Sequence, residues 1–149
     1  MSRVFTGEYS HNVDTKGRII MPAKFRKDEL GEVFYVTKGI ERCLFVYSRE
    51  GWAKFEDILA SLPSTTNRDA RMMVRFFSGN VAECEVDKLG RINIPLRLRE
   101  HAGLVKDVKV VGVQGRVEIW DSAEYEAYCA DEMPMEKVIS IMDSFGMDF

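Results

Sequence analysis

Residues 14–26 decide the fold: they read DTKGRIIMPAKFR and return at residues 87–99 as DKLGRINIPLRLR. Both stretches share the pattern Asp-x-x-Gly-Arg-Ile-x-x-Pro-x-basic-x-Arg, and the second lies 73 residues after the first. The same offset continues without a gap beyond the motif and pairs Tyr47 with Trp120. The chain is therefore a tandem repeat of two homologous half-domains.

Each copy is too small to be stable by itself. A unit of about 45 residues buries too little apolar surface to fold without disulfides, a bound metal or a partner, so the two copies are expected to share one core. The 149 residues, 46% hydrophobic and 30% charged, have the composition of an ordinary soluble domain. The repeat predicts four segments: repeat 1 at 5–55, a connecting helical segment at 56–77, repeat 2 at 78–128, and a C-terminal tail with a helix at 129–149.

The pattern predicts the same order of strands in both copies. A short strand precedes each motif and a second lies within it, and the proline of the motif opens a helical turn that should stop at Gly31 or Gly103. A β-hairpin follows, over residues 34–47 in the first copy and 108–120 in the second.

Helices are predicted after each hairpin. Ser48 and Asp121 are suitable N-caps, and Glu124 has the spacing of a capping-box partner. Two more helices are predicted at 68–77 and 135–145, the latter with an apolar stripe that packs on this chain or on another subunit. Five apolar residues recur at helical spacing and should face the core: Trp52, Phe55, Ile58, Leu59 and Leu62.

Charge is unevenly distributed along the chain. The net charge of −3 argues weakly against a nucleic acid partner, but residues 14–27 hold five bases against one acid, and residues 87–100 hold four against two. Residues 118–149 hold nine acids and one base. Basic charge thus concentrates in the repeated motif. A further basic helix face either meets a partner or is simply solvated: Arg68, Arg71 and Arg75.

The motif holds more than a turn requires. Asp-x-x-Gly alone favours an ordinary hairpin turn, but a turn does not need the arginine that follows glycine or the lysine found within both copies. Asp14 is placed to hold the Arg18 guanidinium in a bidentate pair, and Asp87 to hold Arg91. An arginine fixed in this way at a loop tip suits the O6 and N7 atoms of guanine in the major groove.

These features resemble the MraZ family of bacterial transcriptional regulators, within the AbrB-like superfamily. The resemblance rests on the paired motifs, their Arg-Ile-x-x-Pro continuation, the length, and Phe5-Thr6-Gly7 echoed by Phe77-Ser78-Gly79, and it covers nearly the whole chain. It implies an α+β fold, a tandem-repeat swapped-hairpin AbrB-like β-barrel with peripheral helices and a pseudo-twofold axis within the chain. It also implies a ring of subunits that binds direct repeats in the promoter of the division and cell-wall gene cluster containing its own gene.

Candidate DNA contacts follow from the motif and its flanking bases: Lys16, Arg18, Lys24, Arg26 and Arg91. Four residues are expected to structure the loops: Asp14, Gly17, Asp87 and Gly90. The third motif position is Lys16 in the first copy but Leu89 in the second. We therefore expect the first loop to read DNA, and Arg91 to serve mainly as the structural partner of Asp87.

Other classes of function find little support in the sequence. The three cysteines have no Cys-x-x-Cys spacing and read as reduced thiols, and the two histidines lie in no recognisable catalytic context. Metal-ligand spacing and glycine-rich nucleotide loops are missing, so neither enzymatic activity nor a cofactor is expected. The predicted partners are double-stranded DNA and further copies of this chain, at the nucleoid in the cytoplasm, with no membrane contact. A ring-forming scaffold whose basic loops bind an acidic protein remains an open alternative.

Overall fold

The two copies fold into the predicted order of elements. The computed structural model describes residues 3–27 and 31–148. Its strands are β1 (Phe5–Asn12), β2 (Arg18–Ile20), β3 (Val33–Lys38), β4 (Leu44–Tyr47), β5 (Ala82–Glu85), β6 (Arg91–Asn93), β7 (Asp107–Gln114) and β8 (Val117–Asp121). Its helices are α1 (Arg49–Ala60), α2 (Arg68–Ser78), α3 (Leu96–Ala102), α4 (Ser122–Glu132) and α5 (Met135–Ser144).

The helical turn after each motif proline differs between the copies. In the second copy it is α3, and Gly103 ends this helix in the left-handed conformation with φ of +63°. In the first copy it is a single 3-10 turn, Ala23–Phe25. Residues 28–30, just before the expected stop at Gly31, lie outside the described residues.

The copies exchange their first strands. Strand β1 of the first copy pairs with β7 of the second, and β5 of the second pairs with β3 of the first. The hairpins meet at the centre through β4 and β8, giving the antiparallel order β1-β7-β8-β4-β3-β5. This order reads the same from both edges when each strand is replaced by its counterpart in the other copy. Neither copy can complete its sheet without the other.

The mixed α+β class is confirmed, but the sheet is open. In the part of the chain that the structure describes, β1 and β5 form the two edges of the six-stranded sheet. Strands β2 and β6, three residues each, pair only with each other, with Ile19 opposite Ile92. The expected closed barrel is not formed by strand pairing, because among the described residues neither β2 nor β6 pairs with an edge strand of the main sheet. The ribbon meets the edge strand β5 through a side chain, as the Cys84 thiol donates to the Asn93 carbonyl at 3.3 Å.

Both faces of the main sheet are buried at its centre, in β4 and β8. In β4, Leu44 and Val46 point into a core shared with the β2–β6 ribbon and α3, while Phe45 and Tyr47 point into an aromatic core with α1 and α2. The first core contains side chains from both copies, as the small size of each copy requires. Burial on both sides explains why β4, Leu-Phe-Val-Tyr, is apolar at every position rather than at alternate ones.

The predicted N-caps of α1 and α4 are confirmed. The Ser48 hydroxyl accepts a hydrogen bond from the Gly51 amide at 3.1 Å, and the Asp121 carboxylate accepts one from the Glu124 amide at 3.1 Å. The predicted capping box at α4 is wrong in one respect. The Glu124 carboxylate accepts a hydrogen bond from Arg42 at 2.8 Å, so an ion pair takes the place of the expected reciprocal bond.

Two helical faces differ from expectation. Trp52 and Leu59 of α1 are buried as predicted, but Ile58 is 59% exposed, because the buried stripe of this helix is narrower than the apolar spacing indicated. Helix α5 covers almost the predicted residues, yet none of them is buried. Val138 and Met142 of the stripe are half-buried, whereas Ile141 and Phe145 project into solvent and are not packed on the described part of the chain.

Candidate nucleic-acid interface

The first Asp-x-x-Gly-Arg segment, residues 14–18 and hereafter loop 1, is organised by one carboxylate. Asp14 Oδ1 accepts hydrogen bonds from the backbone amides of Lys16 and Arg18, both at 2.9 Å. Asp14 Oδ2 accepts a hydrogen bond from Arg18 Nε at 2.6 Å. Loop 1 is therefore a turn whose arginine is held against its own aspartate.

The corresponding segment of the second copy, residues 87–91 and hereafter loop 2, repeats this geometry. Asp87 Oδ1 accepts from the amides of Leu89 at 2.9 Å and Arg91 at 2.8 Å, and Asp87 Oδ2 accepts from Arg91 Nε at 2.8 Å. The predicted Asp–Arg pairs are confirmed, but they are not bidentate. The backbone amides occupy Oδ1, so each guanidinium is held through Nε alone.

These contacts keep both aspartates ionised. The hydrogen bond from the Arg18 backbone amide lowers the pKa of Asp14 below its usual value, and the Arg18 side chain acts in the same direction. The backbone amide and side chain of Arg91 lower the pKa of Asp87 in the same way. Both carboxylates thus hold their arginines throughout the neutral pH range.

The ribbon formed by β2 and β6 joins the two loops, which lie at its opposite ends. The Met21 amide donates to the Gly90 carbonyl at 2.9 Å, and the Ile94 amide donates to the Gly17 carbonyl at 3.0 Å. The side chain of Arg91 also leans towards loop 1, with Nη1 3.9 Å from Asp14 Oδ2. Arg91 therefore faces the carboxylates of both loops.

Each loop glycine is covered by an arginine from the other copy. Gly17 and Gly90 are buried and have φ of +82° and +81°. A Cβ placed on Gly17 would lie 2.7 Å from the guanidinium carbon of Arg99, and one placed on Gly90 would lie 2.9 Å from that of Arg26. Arg99 Nε donates to the Ile94 carbonyl at 2.9 Å. Arg26 is held similarly, by the Met21 carbonyl at 2.8 Å.

Replacing Gly17 with alanine should destabilise the protein. A left-handed conformation costs a residue with a Cβ about 1–2 kcal/mol, and the new methyl group would also push against Arg99. We expect the midpoint of chemical denaturation to fall to a lower denaturant concentration. Gly115→Ala is the matched control, because Gly115 has no positive φ and nothing lies within 4 Å of a Cβ placed there. Equal midpoints for the two variants would contradict the structural role of Gly17.

The remaining predicted contacts differ in accessibility. Lys16 and Lys24 are exposed and Arg26 is half-buried. The side chains of Arg18 and Arg91 are 28% and 24% exposed. At the tip of loop 2 the exposed positions are Lys88 and Leu89, and Leu89 is 69% exposed. Loop 1 therefore presents a cation where loop 2 presents an apolar side chain.

An open cavity of about 650 Å³ lies beside loop 1. Its lining brings together three of the predicted residues, Asp14, Arg18 and Arg91, with the cation Lys109, which the sequence did not single out. His11 also lines the cavity, and burial lowers its pKa, which favours the neutral imidazole. Asp107 and Glu126 add negative charge to the same walls.

The geometry of the thiols does not favour covalent catalysis. Burial raises the pKa of Cys84 to about 11 and raises that of Cys43 further. Both therefore remain protonated at neutral pH and poor nucleophiles. Among the described residues, histidine, cysteine and acidic side chains form no group of three or more suited to a metal ion. In the same residues, no helix is long and apolar enough to cross a membrane.

Arg99 is the residue of this site that sequence reasoning missed. It occupies the last position of the repeated pattern, as Arg26 does in the first copy, and this equivalence was the available signal. The exchange of partners between copies could not be read from it.

The family model "MraZ protein, putative antitoxin-like" matches residues 4–76 and again 76–143. A protein of Acetivibrio thermocellus named transcriptional regulator MraZ is 52% identical over 145 residues, which is 97% of this chain and all of the relative. Proteins of the same name from Alkaliphilus oremlandii and Moorella thermoacetica are 50% and 54% identical, over 97% and 86% of this chain and 100% and 88% of theirs.

Proposed function

The chain belongs to the MraZ family, and we propose that it is a DNA-binding transcriptional regulator that acts on the promoter of its own division and cell-wall gene cluster. Its relatives carry the name of a transcriptional regulator rather than an enzyme. The proposal places the protein at the nucleoid in the cytoplasm, where it binds direct repeats in double-stranded DNA.

One observation carries this proposal: two arginines, each held by its own aspartate, lie on the same outer face of a two-stranded ribbon, one at each end. The major groove of DNA admits such a ribbon. Holding Arg18 through Nε leaves Nη1 and Nη2 without another hydrogen bond among the described residues. These two nitrogens have the spacing to donate to O6 and N7 of one guanine.

The basic side chains around Arg18 are proposed to contact DNA phosphates. Lys16 extends from the tip of loop 1, and Lys24 is exposed on the 3-10 turn that follows β2. Arg91 adds charge from loop 2, and Arg26 adds charge from the end of the 3-10 turn. Contacts of this kind supply affinity and register but little sequence preference, so we assign base recognition to Arg18.

We also propose that the chain assembles into a homo-oligomeric ring with the swapped-hairpin architecture of AbrB-like proteins. The exchange of β1 and β5 between copies supports the architecture. Self-association is supported by α5, whose exposed apolar side chains, including Ile139, Ile141 and Phe145, find no partner within the described part of the chain.

A titration with DNA tests the function. Binding of the full chain to the duplex upstream of its gene should be followed by fluorescence anisotropy at several salt concentrations, beside a scrambled duplex of equal length. A regulator should prefer its own DNA by a factor of about 10³ or more at physiological salt. Equal affinities that fall together with salt would indicate charge attraction alone, as expected of a scaffold for an acidic protein.

A further inference from the structure

We propose that Arg99, which belongs to the second copy, is the positioning residue of the DNA-reading loop of the first copy. This inference rests on the function proposed above. It assigns to loop 1 a residue that lies 81 positions after Arg18 in the sequence and outside the motif of that loop.

Arg99 is tied to loop 1 at two points. Its Nε donates to the carbonyl of Ile94, and the amide of the same Ile94 donates to the carbonyl of Gly17. Its guanidinium lies over Gly17, within 2.8 Å of the position that a Cβ would occupy. Arg99, Ile94 and Gly17 thus form a closed set of contacts beneath the turn.

These contacts limit where Arg18 can stand. Gly17 directly precedes Arg18, and its positive φ sets the direction in which the chain enters β2. The plane of the guanidinium covers the open side of the glycine, where a side chain would otherwise be. If the guanidinium is lost, the turn gains space to move, and the Arg18 nitrogens lose the fixed position that base recognition needs.

The pseudo-symmetry supplies a matched comparison within the same chain. Arg26 makes the equivalent hydrogen bond at 2.8 Å and covers Gly90 of loop 2. Removal of either arginine deletes the same types of contact within the protein, and removal of Arg26 also deletes a proposed phosphate contact. Because loop 1 carries Lys16 and loop 2 carries the exposed Leu89, only Arg99 is expected to influence sequence preference.

The first experiment measures the loops without DNA. Hydrogen exchange, followed by mass spectrometry on peptides covering residues 14–18 and 87–91, should be recorded for Arg99→Ala and Arg26→Ala. We expect Arg99→Ala to speed exchange in loop 1 only, and Arg26→Ala to speed exchange in loop 2 only. Faster exchange in the loop of the same copy, or in neither loop, would overturn the proposal whatever the protein binds.

The second experiment measures the ratio of affinities for upstream and scrambled DNA. In Arg99→Ala this ratio should fall about fivefold or more, the lower range for loss of a bidentate base contact. In Arg26→Ala affinity should fall on both duplexes and leave the ratio unchanged. Arg99→Lys keeps the charge but lacks the planar group, so it should lower the ratio as Arg99→Ala does. It serves as the test if Arg99→Ala folds poorly.

The outcomes separate this inference from the proposed function. If the unaltered protein shows no preference for its upstream DNA, the proposed function fails. The link between Arg99 and loop 1 is then tested by the hydrogen-exchange rates alone. If it shows the preference and Arg99→Ala or Arg99→Lys retains it in full, the positioning role is refuted and the function stands.

Discussion

Replacement of Arg18 with alanine is expected to weaken binding to the upstream DNA by about 1–3 kcal/mol, or roughly 5- to 150-fold in affinity. The alanine removes both nitrogens that loop 1 offers to a guanine. Because Asp14 still accepts bonds from the backbone amides of Lys16 and position 18, the turn should persist. The loss should therefore be concentrated at one base pair, and should shrink on DNA in which that guanine is replaced. Anisotropy titrations on a set of single-base variants measure it.

Two variants make this result specific. Lys16→Ala should weaken binding to all duplexes alike and reduce the slope of log affinity against log salt by about one, as expected for a lost phosphate contact. Arg91→Ala should act mainly on folding or assembly, since its side chain faces Asp87 and Asp14 within the protein. If Arg91→Ala abolished binding with the assembly intact, and Arg18→Ala did not, loop 2 would be the reader.

The repeat in the sequence predicted much of the fold because each copy carries strong local signals. Proline and glycine marked the helical turns, and the caps Ser48 and Asp121 fixed helix starts to the residue. The exchange of β1 and β5 could not be predicted from residue patterns alone. Strand pairing between copies depends on which edges meet in space, and both copies present the same pattern. The prediction that Ile58 is buried was wrong for a related reason. The spacing of apolar residues identifies the face of a helix that meets the core, but not how much of that face the core covers.

The candidate site was predicted in its chemistry but not in its connections. The types of residue at Asp14 and Arg18 were sufficient to predict their pairing, since both lie within one turn. The link between Arg99 and Gly17 joins residues from different copies, and only the ribbon of β2 and β6 brings them together. The missing bidentate geometry has a local cause, because two backbone amides compete for the same carboxylate oxygen.

The largest effect is expected when the number of DNA repeats is changed. On a ring, once loop 1 of one subunit is bound, loop 1 of a neighbouring subunit binds the next repeat at an effective concentration set by the assembly. Two or more correctly spaced repeats should therefore bind about 10²- to 10⁴-fold more tightly than one. Titrations with one, two and three repeats on duplexes of equal length measure this gain, and analytical ultracentrifugation at the same concentrations measures the assembly.

A variant with Ile139, Ile141 and Phe145 changed to glutamate is the control for this gain. These side chains are exposed on and just after α5, so their replacement should leave the fold of one chain intact while weakening contacts between chains. It should sediment as a smaller species, keep the affinity for a single repeat and lose the gain from additional repeats. Equal affinity of the unaltered protein for one and several repeats would contradict multivalent binding, and a lone monomer at micromolar concentration would remove the ring itself. A gain that survives in a monomeric variant would mean that one chain spans two repeats, and loop 2 would then need a DNA contact of its own.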